Sequence, residues 1–478
     1  MLPLLSIVSD PALHYPEGND CFSPDEPFPE YRYGVISARP NPVYHSVRRL
    51  FAQSGLDREY CGTPEWNPLG RYIVPGSRVF VLCNFVYHRK PGESLRAFWS
   101  KCTHGSVLRA LLDYVLIAVG PGGTVTFGNA PLQSCEWEKV LDDTGAARVL
   151  DFYRSQNVDV LARDLRLFAA KWNRLGNVRD IESRNGSPVE VDLGAHSLLT
   201  VFDSHQPHFR VSDYDPRRTE TYQNSGRHIY AVSPTILESD VIISLPKLKT
   251  HEKVGITCGL KGLVGTIALK DSLAHHRFGG PHSGGDEYAS DSPLLRAASR
   301  FHDWVQQQDA GKPGASILQI LDRNNRRLLA RSGHIVAGAW YGNDTAWRMA
   351  LDIGQVVTYA TRSGELSTTP QRKHLMLVDG VIGGEGNGPL SPSPVDSRVL
   401  LLSDNLAVGD LACCCIMGLD PLRIPLVRNA LEREGCFQQA SITADFNGEK
   451  LSLPDLPRSA VHAFAAPKGW RGHMETKA

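Results

Sequence analysis

The chain has 478 residues, of which 42% are hydrophobic and 21% are charged, and these values are typical of globular proteins with one large domain or several smaller ones. Lysine plus arginine and aspartate plus glutamate both number 51, so the formal net charge is zero. This balance argues against a general nucleic-acid binder but allows a local basic pocket.

The cysteine spacing and the length of the apolar runs are used to predict the cellular compartment of the protein. Ten cysteines are scattered along the chain without any C-x-x-C pair, so neither a zinc ribbon nor a ferredoxin-type iron–sulfur cluster is predicted. A cluster assembled from distant cysteines stays open as an alternative. We interpret Cys413, Cys414 and Cys415 as small core residues of an apolar helix. No signal sequence and no run of ~18–20 apolar residues is present. We therefore expect a soluble, cytoplasmic protein that has neither nucleic acid nor a membrane as partner.

The first third of the chain predicts an arm and the beginning of an α/β domain. Residues 1–75 are rich in proline, tyrosine and aspartate and predict an irregular arm with a short helix over 44–54. The predicted elements that follow are a strand over 79–82 ending at Asn84, a helix over 107–119 with Thr103 as its N-cap, a strand over 124–128 ending at Asn129, and helices over 136–155 and 159–174.

The stretch from Asp240 to Lys270 is the most informative part of the sequence. Val241–Leu245 predicts a buried strand, and Pro246 is expected to end its ladder because proline lacks an N–H group. Basic and hydroxyl side chains follow directly after this strand, and glycines between them allow a ligand to approach the backbone closely. The residues concerned are Lys247, Lys249, Thr250, His251, Thr257, Gly259 and Lys261. Such a collection at a strand end favours an anionic ligand.

The remainder of the chain adds further candidate groups. The glycine-rich loop from His275 to Glu287 fits either a metal site or a mobile lid. The other predicted elements are a helix over 294–307, a helix over 346–353 that carries Arg348, a strand over 374–378 ending at Asp379, a glycine loop over 380–389 with Glu385, a strand over 399–402 ending at Asp404, and a helix over 408–417 with Asp410.

These strand ends share one property, since each apolar strand leads into a polar side chain. Strands that alternate with helices predict an α/β fold with a mixed, largely parallel sheet flanked by helices. Open α/β sheets place ligands at the carboxyl ends of their strands, so the polar ends are expected to converge on one rim. The predicted set of strand-end residues is Asn84, Asn129, Lys247, Asp379 and Asp404.

Three sequence segments carry a resemblance to a known family. P-K-L-K-T-H followed by G-L-K-G-L-V-G, the later V-D-G-V-I-G-G-E-G-N-G-P, and the strand-and-helix segment ending in G-L-D-P resemble the DUF362 family, a domain of unknown function. The resemblance covers roughly residues 75–435. It implies an arm over 1–75, a DUF362-like α/β domain over 76–435 with insertions at about 176–235 and 272–345, and a tail over 436–478.

The site residues fit three functions. In the first, an enzyme acts on a small phosphorylated or carboxylate substrate held by Lys249, Thr250, Asn84, Gly259 and Arg348, with His251, Lys261 and Lys247 as catalytic groups. A divalent metal, Mg²⁺ or Mn²⁺, is then expected on Asp379, Glu385 and Asp410. In the second, His251, His275, His276 and His282 hold a transition metal. The third is a non-catalytic protein that binds an anionic metabolite.

Overall fold

The computed structural model describes residues 3–18, 21–173, 176–182, 186–308, 314–435 and 442–476. The strands are β1 (Leu5–Ser9), β2 (Arg78–Cys83), β3 (Thr124–Asn129), β4 (Val160–Asp164), β5 (Phe168–Asn173), β6 (Gly176–Glu182), β7 (Val189–Asp192), β8 (Phe209–Arg210), β9 (Gln223–Asn224), β10 (Arg227–Val232), β11 (Val241–Leu245), β12 (Lys247–His251), β13 (Gly255–Ile256), β14 (His276–Arg277), β15 (Lys373–Glu385), β16 (Ser393–Val395), β17 (Val399–Ser403), β18 (Thr443–Phe446) and β19 (Glu449–Ser452).

The helices alternate with the strands along the chain. They are α1 (Pro42–Gln53), α2 (Leu95–Trp99), α3 (Gly105–Val119), α4 (Trp137–Thr144), α5 (Ala146–Ser155), α6 (Pro216–Tyr222), α7 (Pro234–Glu238), α8 (Cys258–Gly262), α9 (Pro293–Gln306), α10 (Ala315–Arg331), α11 (Ala346–Tyr359), α12 (Leu406–Ile416) and α13 (Pro425–Arg433). None of the helices in the described ranges is both long enough and apolar enough to cross a membrane.

A twelve-stranded sheet organises the molecule, in the order β19-β18-β1-β17-β15-β11-β2-β3-β4, with β12 and β16 paired to β15 and β13 paired to β12. Five neighbours from β15 to β4 run parallel to one another, whereas β17 is antiparallel to both β15 and β1. The predicted α/β fold with a mixed, largely parallel sheet is therefore confirmed.

The central strands of the sheet, such as β2, β11 and β17, are buried on both faces, which explains why they are apolar throughout rather than alternating. Phe80 and Leu82 of β2 pack into one hydrophobic core with residues of α8, α11, α12 and α13. Val79 and Val81 point to the opposite face and pack with residues of α1, α3 and α5. The cysteines of α12 fit the same picture, because Cys413 and Cys414 are fully buried in the first core.

The two strand boundaries predicted around the site have different outcomes. β11 ends at Leu245, directly before Pro246, as predicted. The Pro246 carbonyl still accepts a hydrogen bond from the Asp379 N–H at 2.9 Å, and the chain resumes at once as β12 alongside β15. Asp379 does not end its strand, because β15 continues through the glycines to Glu385. The glycines allow this continuation, since a Cβ at Gly380 would lie 2.7 Å from the Val399 side chain.

Two further local predictions were wrong. Residues 159–174 were predicted to be helical, but β4 pairs in parallel with β3 and β5 follows it as a second strand. Here pairing at the sheet edge outweighs the helical spacing of the apolar residues. The N-cap of α3 is His104 rather than Thr103, because the Thr103 hydroxyl instead donates to the carbonyl of Leu245.

The N-terminal arm contains the predicted helix, α1, and also a strand that the sequence did not reveal. β1 lies between β17 and β18 in the sheet, pairing antiparallel with the first and parallel with the second. The arm and the C-terminal segment are therefore joined to the central domain by backbone hydrogen bonds.

Candidate functional site

Lys247 and Asp379, both predicted site residues, form a buried ion pair with each other. Their Nζ and Oδ1 atoms are 3.0 Å apart, and neither side chain is exposed. The Tyr15 hydroxyl donates to the same Oδ1 at 2.7 Å and accepts from Lys247, while the His104 N–H donates to Oδ2 at 3.0 Å. A buried pair persists when hydrogen bonds satisfy it in this way. Lys247 and Asp379 therefore hold the rim together and are closed to a ligand.

Lys249 and Asn84, predicted to bind substrate, also bind each other. Lys249 Nζ donates to Asn84 Oδ1 at 2.7 Å and to the carbonyl of Lys101 at 2.6 Å. Burial, together with the nearby charges of Lys247 and Lys101, lowers the pKa of Lys249 to about 7. This contact joins β12 to the carboxyl end of β2, so the structure does bring the two residues together at the predicted rim.

Thr250 and Arg348 are engaged elsewhere. The Thr250 hydroxyl donates to the carbonyl of Gly386 at 2.8 Å, which secures the end of β15. The Arg348 guanidinium binds Asp344 one turn earlier in the chain and packs over the ring of Phe202. Both side chains therefore have protein partners that explain their positions.

The three carboxylates predicted to hold a divalent metal have separate partners. Asp379 pairs with Lys247, and Glu385 accepts a hydrogen bond from the Ala465 N–H at 2.8 Å. Asp410 accepts from two backbone N–H groups of α8, at 2.6 and 3.1 Å. Over the described ranges, no group of three or more histidine, cysteine, aspartate or glutamate residues is placed to hold a metal ion. The structure does not assemble these carboxylates as one ligand set.

Asp410 has a clear role in presenting the glycine-rich segment. It caps the start of α8 by accepting from the N–H groups of Gly259 and Leu260. Burial raises the pKa of Asp410 to about 7, although the two N–H donors act in the opposite direction. Gly259 sits so close to β15 that a Cβ would lie 2.3 Å from Met376 Sδ. The packing therefore sets the position of α8 and of Lys261 on it.

Basic side chains gather around Lys261 in what we call the lysine–histidine cluster, defined as His251, Lys253, Lys261, Lys270 and His275. They come from the end of β12, the turn after it, α8, and the segment before β14. Lys270 Nζ donates to the carbonyl of Ala130, just beyond β3, at 2.8 Å. The cluster therefore lies at the carboxyl ends of the parallel strands, where α/β sheets place their ligands.

The lysines of the cluster differ in the carboxylates around them. The charges of Glu252, Asp213 and Asp286 act against the lowering of the Lys253 pKa, and Asp164 does so for Lys270. Lys253 also donates hydrogen bonds to Ser212 and to the carbonyl of Ala337. For Lys261, within the described part of the chain, no hydrogen-bond acceptor or carboxylate offsets the ammonium charge. Lys261 is half-buried, since part of its surface stays accessible to solvent.

The pKa values of the cluster reflect burial among like charges. Burial and the charge of Lys253 lower the pKa of Lys261 to about 8, and burial with the charges of Lys261 and Arg166 lowers that of Lys270 to about 7. Burial and the neighbouring lysines hold the pKa of both His251 and His275 well below the usual range, so both rings are neutral at pH 7. Neutral imidazoles beside lysines that titrate near neutrality can exchange protons with a substrate.

Several polar atoms around the cluster are buried without a hydrogen-bond partner in the described residues. They are Thr257 Oγ1, Asn129 Oδ1 and His276 Nδ1. Each of these atoms can form a hydrogen bond with a water molecule or a ligand. His276 also lines a cavity of about 40 Å³ together with Ser212 and Ala337, the partners of Lys253. That volume is enough for roughly one water molecule.

The alternative set of histidine ligands is not assembled either. His251 and His276 are buried and His275 is half-buried, whereas His282 is exposed and its backbone N–H donates to Asp291. His251 Nδ1 accepts a hydrogen bond from the Lys253 N–H at 3.1 Å. Of the charged side chains predicted from the sequence, Lys261 therefore remains without a protein partner among the described residues.

Sequence reasoning missed Lys253 and Lys270 and assigned them no role. Both flank the glycine-rich segment, Lys253 two residues beyond His251 and Lys270 nine residues beyond Lys261. The density of lysine over 247–270 was the available signal. Tyr15 was also missed, because nothing local links it to a strand more than 200 residues away.

Comparison with known proteins gives one distant relative. The chain is 21% identical over 367 residues to the thylakoid-associated protein sll1697 of Synechocystis sp., an alignment that covers 77% of this chain and 71% of the relative. No solved structure matches the chain. Residues 204–415, which include the whole lysine–histidine cluster, match the family described as Domain of unknown function (DUF362). The resemblance to DUF362 predicted from the motifs is thereby confirmed over residues 204–415, a shorter range than the predicted 75–435.

Proposed function

We propose that the lysine–histidine cluster binds a small phosphorylated or carboxylate substrate and that the chain is an enzyme acting on it. The observation that carries this proposal is Lys261, a lysine in a cationic environment without a carboxylate to offset it within the described residues. Burying a charge costs free energy unless an opposite charge compensates it. An anionic ligand supplies that compensation, and it also fits the lysines on either side.

The proposed chemistry divides the work among the cluster residues. Lys253 and Lys270 hold the anion by charge. Lys261, with a pKa of about 8, gives or takes a proton. The neutral His251 ring accepts the Lys253 N–H at Nδ1, so it carries its own proton on Nε2 and donates a hydrogen bond to the anion. Lys247, predicted from the sequence as catalytic, becomes a positioning residue because Asp379 and Tyr15 occupy its ammonium group.

A divalent metal ion fits this proposal if the substrate supplies some of the oxygen ligands of the metal. Mg²⁺ commonly keeps several waters and binds through one or two carboxylates together with substrate phosphates. Assays run in parallel with Mg²⁺, with Mn²⁺ and with a chelator separate metal-assisted turnover from turnover by the cluster alone.

The first test is anion binding measured by calorimetry and by thermal unfolding, with inorganic phosphate as the probe. We expect phosphate to raise the unfolding temperature, and Lys261→Met to weaken phosphate binding by about tenfold or more, as expected for a lost charge-assisted hydrogen bond. Without ligand, Lys261→Met should unfold at a higher temperature than the natural chain, because it removes an uncompensated charge. A merely structural lysine would give the opposite shift.

Lys139→Met is the matched control. Its side chain is 59% exposed and pairs only with Glu136, so phosphate binding should be unchanged. Phosphate binding that survives in Lys261→Met would refute the proposed site. Catalysis is tested separately by incubating the protein with a mixture of phosphorylated and carboxylated metabolites and detecting products by mass spectrometry. Saturable binding without any product would favour the alternative of a non-catalytic binding protein.

A further inference from the structure

Helices α9 and α10 form a hairpin with an unusual apolar outer surface. α10 exposes four large aliphatic side chains, with Ile317 at 63% and Leu328 at 65% of their full accessible area, and α9 exposes Leu294 at 60% and Trp304 at 46%. Single exposed apolar residues are ordinary on a protein surface, but a cluster of this kind marks an interaction site.

The exposed residues of α10 lie on one face, opposite the face that packs on the protein. Ile317, Leu321 and Leu328 are spaced by four and seven residues and therefore share a stripe along the helix. The buried residues Asp322 and Leu329 lie on the other side, where Leu329 packs with Tyr288 and Leu295. β6 also lies against α10, but Ile317, Leu321 and Leu328 all stay more than half exposed.

Within the described ranges, the exposed charged side chains of α9 and α10 are positive. Arg300, Arg327 and Arg331 are exposed, and no ion pair joins them to any described residue. The acidic residues of the two helices form ion pairs on the side that faces the protein. Asp303 pairs with Arg210, and Asp322 pairs with His302. The outer surface therefore combines aliphatic side chains, a tryptophan and unpaired arginines.

We infer that the outer surface of the α9–α10 hairpin docks on a lipid membrane that contains anionic lipids. An amphipathic helix with large apolar residues and arginines beside them lies in the plane of such a membrane, with its apolar face among the acyl chains. Trp304 suits the boundary between headgroups and acyl chains. This interaction differs from the anion site proposed above and does not depend on it.

The charges decide between a membrane and a second copy of this chain. Pairing two copies through the stripe places arginines against arginines, and the helices have no outward acidic residue to offset them. An anionic lipid surface matches both the apolar and the charged part of the face. The sequence-based expectation of no membrane partner considered only spanning segments, and an interfacial helix needs no span.

The test is sedimentation of the full chain with vesicles of phosphatidylcholine, with or without phosphatidylglycerol. We expect binding to the vesicles that contain phosphatidylglycerol and release at high salt, because salt screens charges beyond a Debye length. The triple variant Ile317→Ser, Leu321→Ser, Leu328→Ser should lose binding by about tenfold or more. Arg327→Gln with Arg331→Gln should weaken it by about fivefold for each arginine removed.

A control and a folding check accompany these variants. Val74→Ser removes another exposed apolar side chain, at 58% exposure, and should bind vesicles like the natural chain. Unchanged thermal unfolding of each variant shows that the fold survives. Failure to sediment with either kind of vesicle overturns the inference. So does a dimer in analytical ultracentrifugation that the triple serine variant dissociates, because the stripe is then a contact between two copies.

Discussion

At the scale of single residues, two lysines of the same strand-end segment differ in what surrounds them. Lys247 is buried beside Asp379 and a tyrosine hydroxyl, so its charge is matched. Lys261 is surrounded by other cations, and burial with the charge of Lys253 lowers its pKa to about 8. A charge without a counter-charge is costly in a protein interior. The first lysine stabilises the fold, whereas the second is suited to meet a ligand.

The pH dependence of anion binding follows from these pKa values. We expect the affinity for sulfate to fall between about pH 7 and pH 9, as Lys270 and then Lys261 lose their protons. Sulfate is the better probe here, because its own charge stays constant over this range. Calorimetry at several pH values measures the effect. In Lys261→Arg the fall near pH 8 should be smaller, since arginine keeps its charge. An affinity that is flat from pH 6 to pH 9 would contradict the assignment.

At the scale of elements, α8 is a short helix whose position comes from packing rather than from helix propensity. Its first N–H groups are capped by Asp410 from α12, and its glycines permit contact with β15. The two glycines on either side of Leu260 and Lys261 differ in surroundings. A Cβ at Gly259 would meet Met376 Sδ at 2.3 Å, whereas one at Gly262 would have only Pro246 Cβ at 3.9 Å.

This difference predicts opposite effects for two similar substitutions. Gly259→Ala should lower the free energy of unfolding by about 1–3 kcal/mol, because the methyl group overpacks the space between α8 and β15. Gly262→Ala should be neutral or raise it by up to about 1 kcal/mol, since alanine favours a helix more than glycine does. Chemical denaturation measures both values. Equal effects of the two substitutions would show that α8 is less closely packed than the structure indicates.

At the scale of the whole molecule, the N-terminal arm ties distant parts of the chain together. β1 inserts between β17 and β18, and Tyr15 extends from the arm into the Lys247–Asp379 pair. The Tyr15 ring also stacks on His104 at the start of α3, with centroids 4.0 Å apart. The arm therefore contributes to the fold and to the rim beside the candidate site.

The contribution of the arm to stability can be measured by removing the hydroxyl group of Tyr15. Tyr15→Phe removes the donor to Asp379 and the acceptor for Lys247, both of them buried, and should lower the free energy of unfolding by about 1–3 kcal/mol. Tyr60→Phe is the matched control, since Tyr60 is 46% exposed. Denaturant unfolding compares the two. Equal stability of both variants would mean that the arm contributes little through Tyr15.

The sequence by itself determined the features that depend on local patterns. Buried apolar runs revealed β2, β3, β11 and β17, because strands covered on both faces of a sheet form continuous hydrophobic segments. The glycine-rich lysine segment located the candidate site, and three motifs identified the family. These signals lie within a few residues of one another, so no knowledge of long-range contacts was needed.

Only the tertiary structure decided which charged groups form ion pairs or hydrogen bonds with one another. The sequence cannot show that Lys247 and Asp379 form a pair, that Asp410 caps α8, or that Lys261 remains without a carboxylate among the described residues. It also cannot show that β1 joins the interior of the sheet or that residues 160–164 pair as an edge strand. Each of these depends on residues tens to hundreds of positions apart, brought together when the sheet forms.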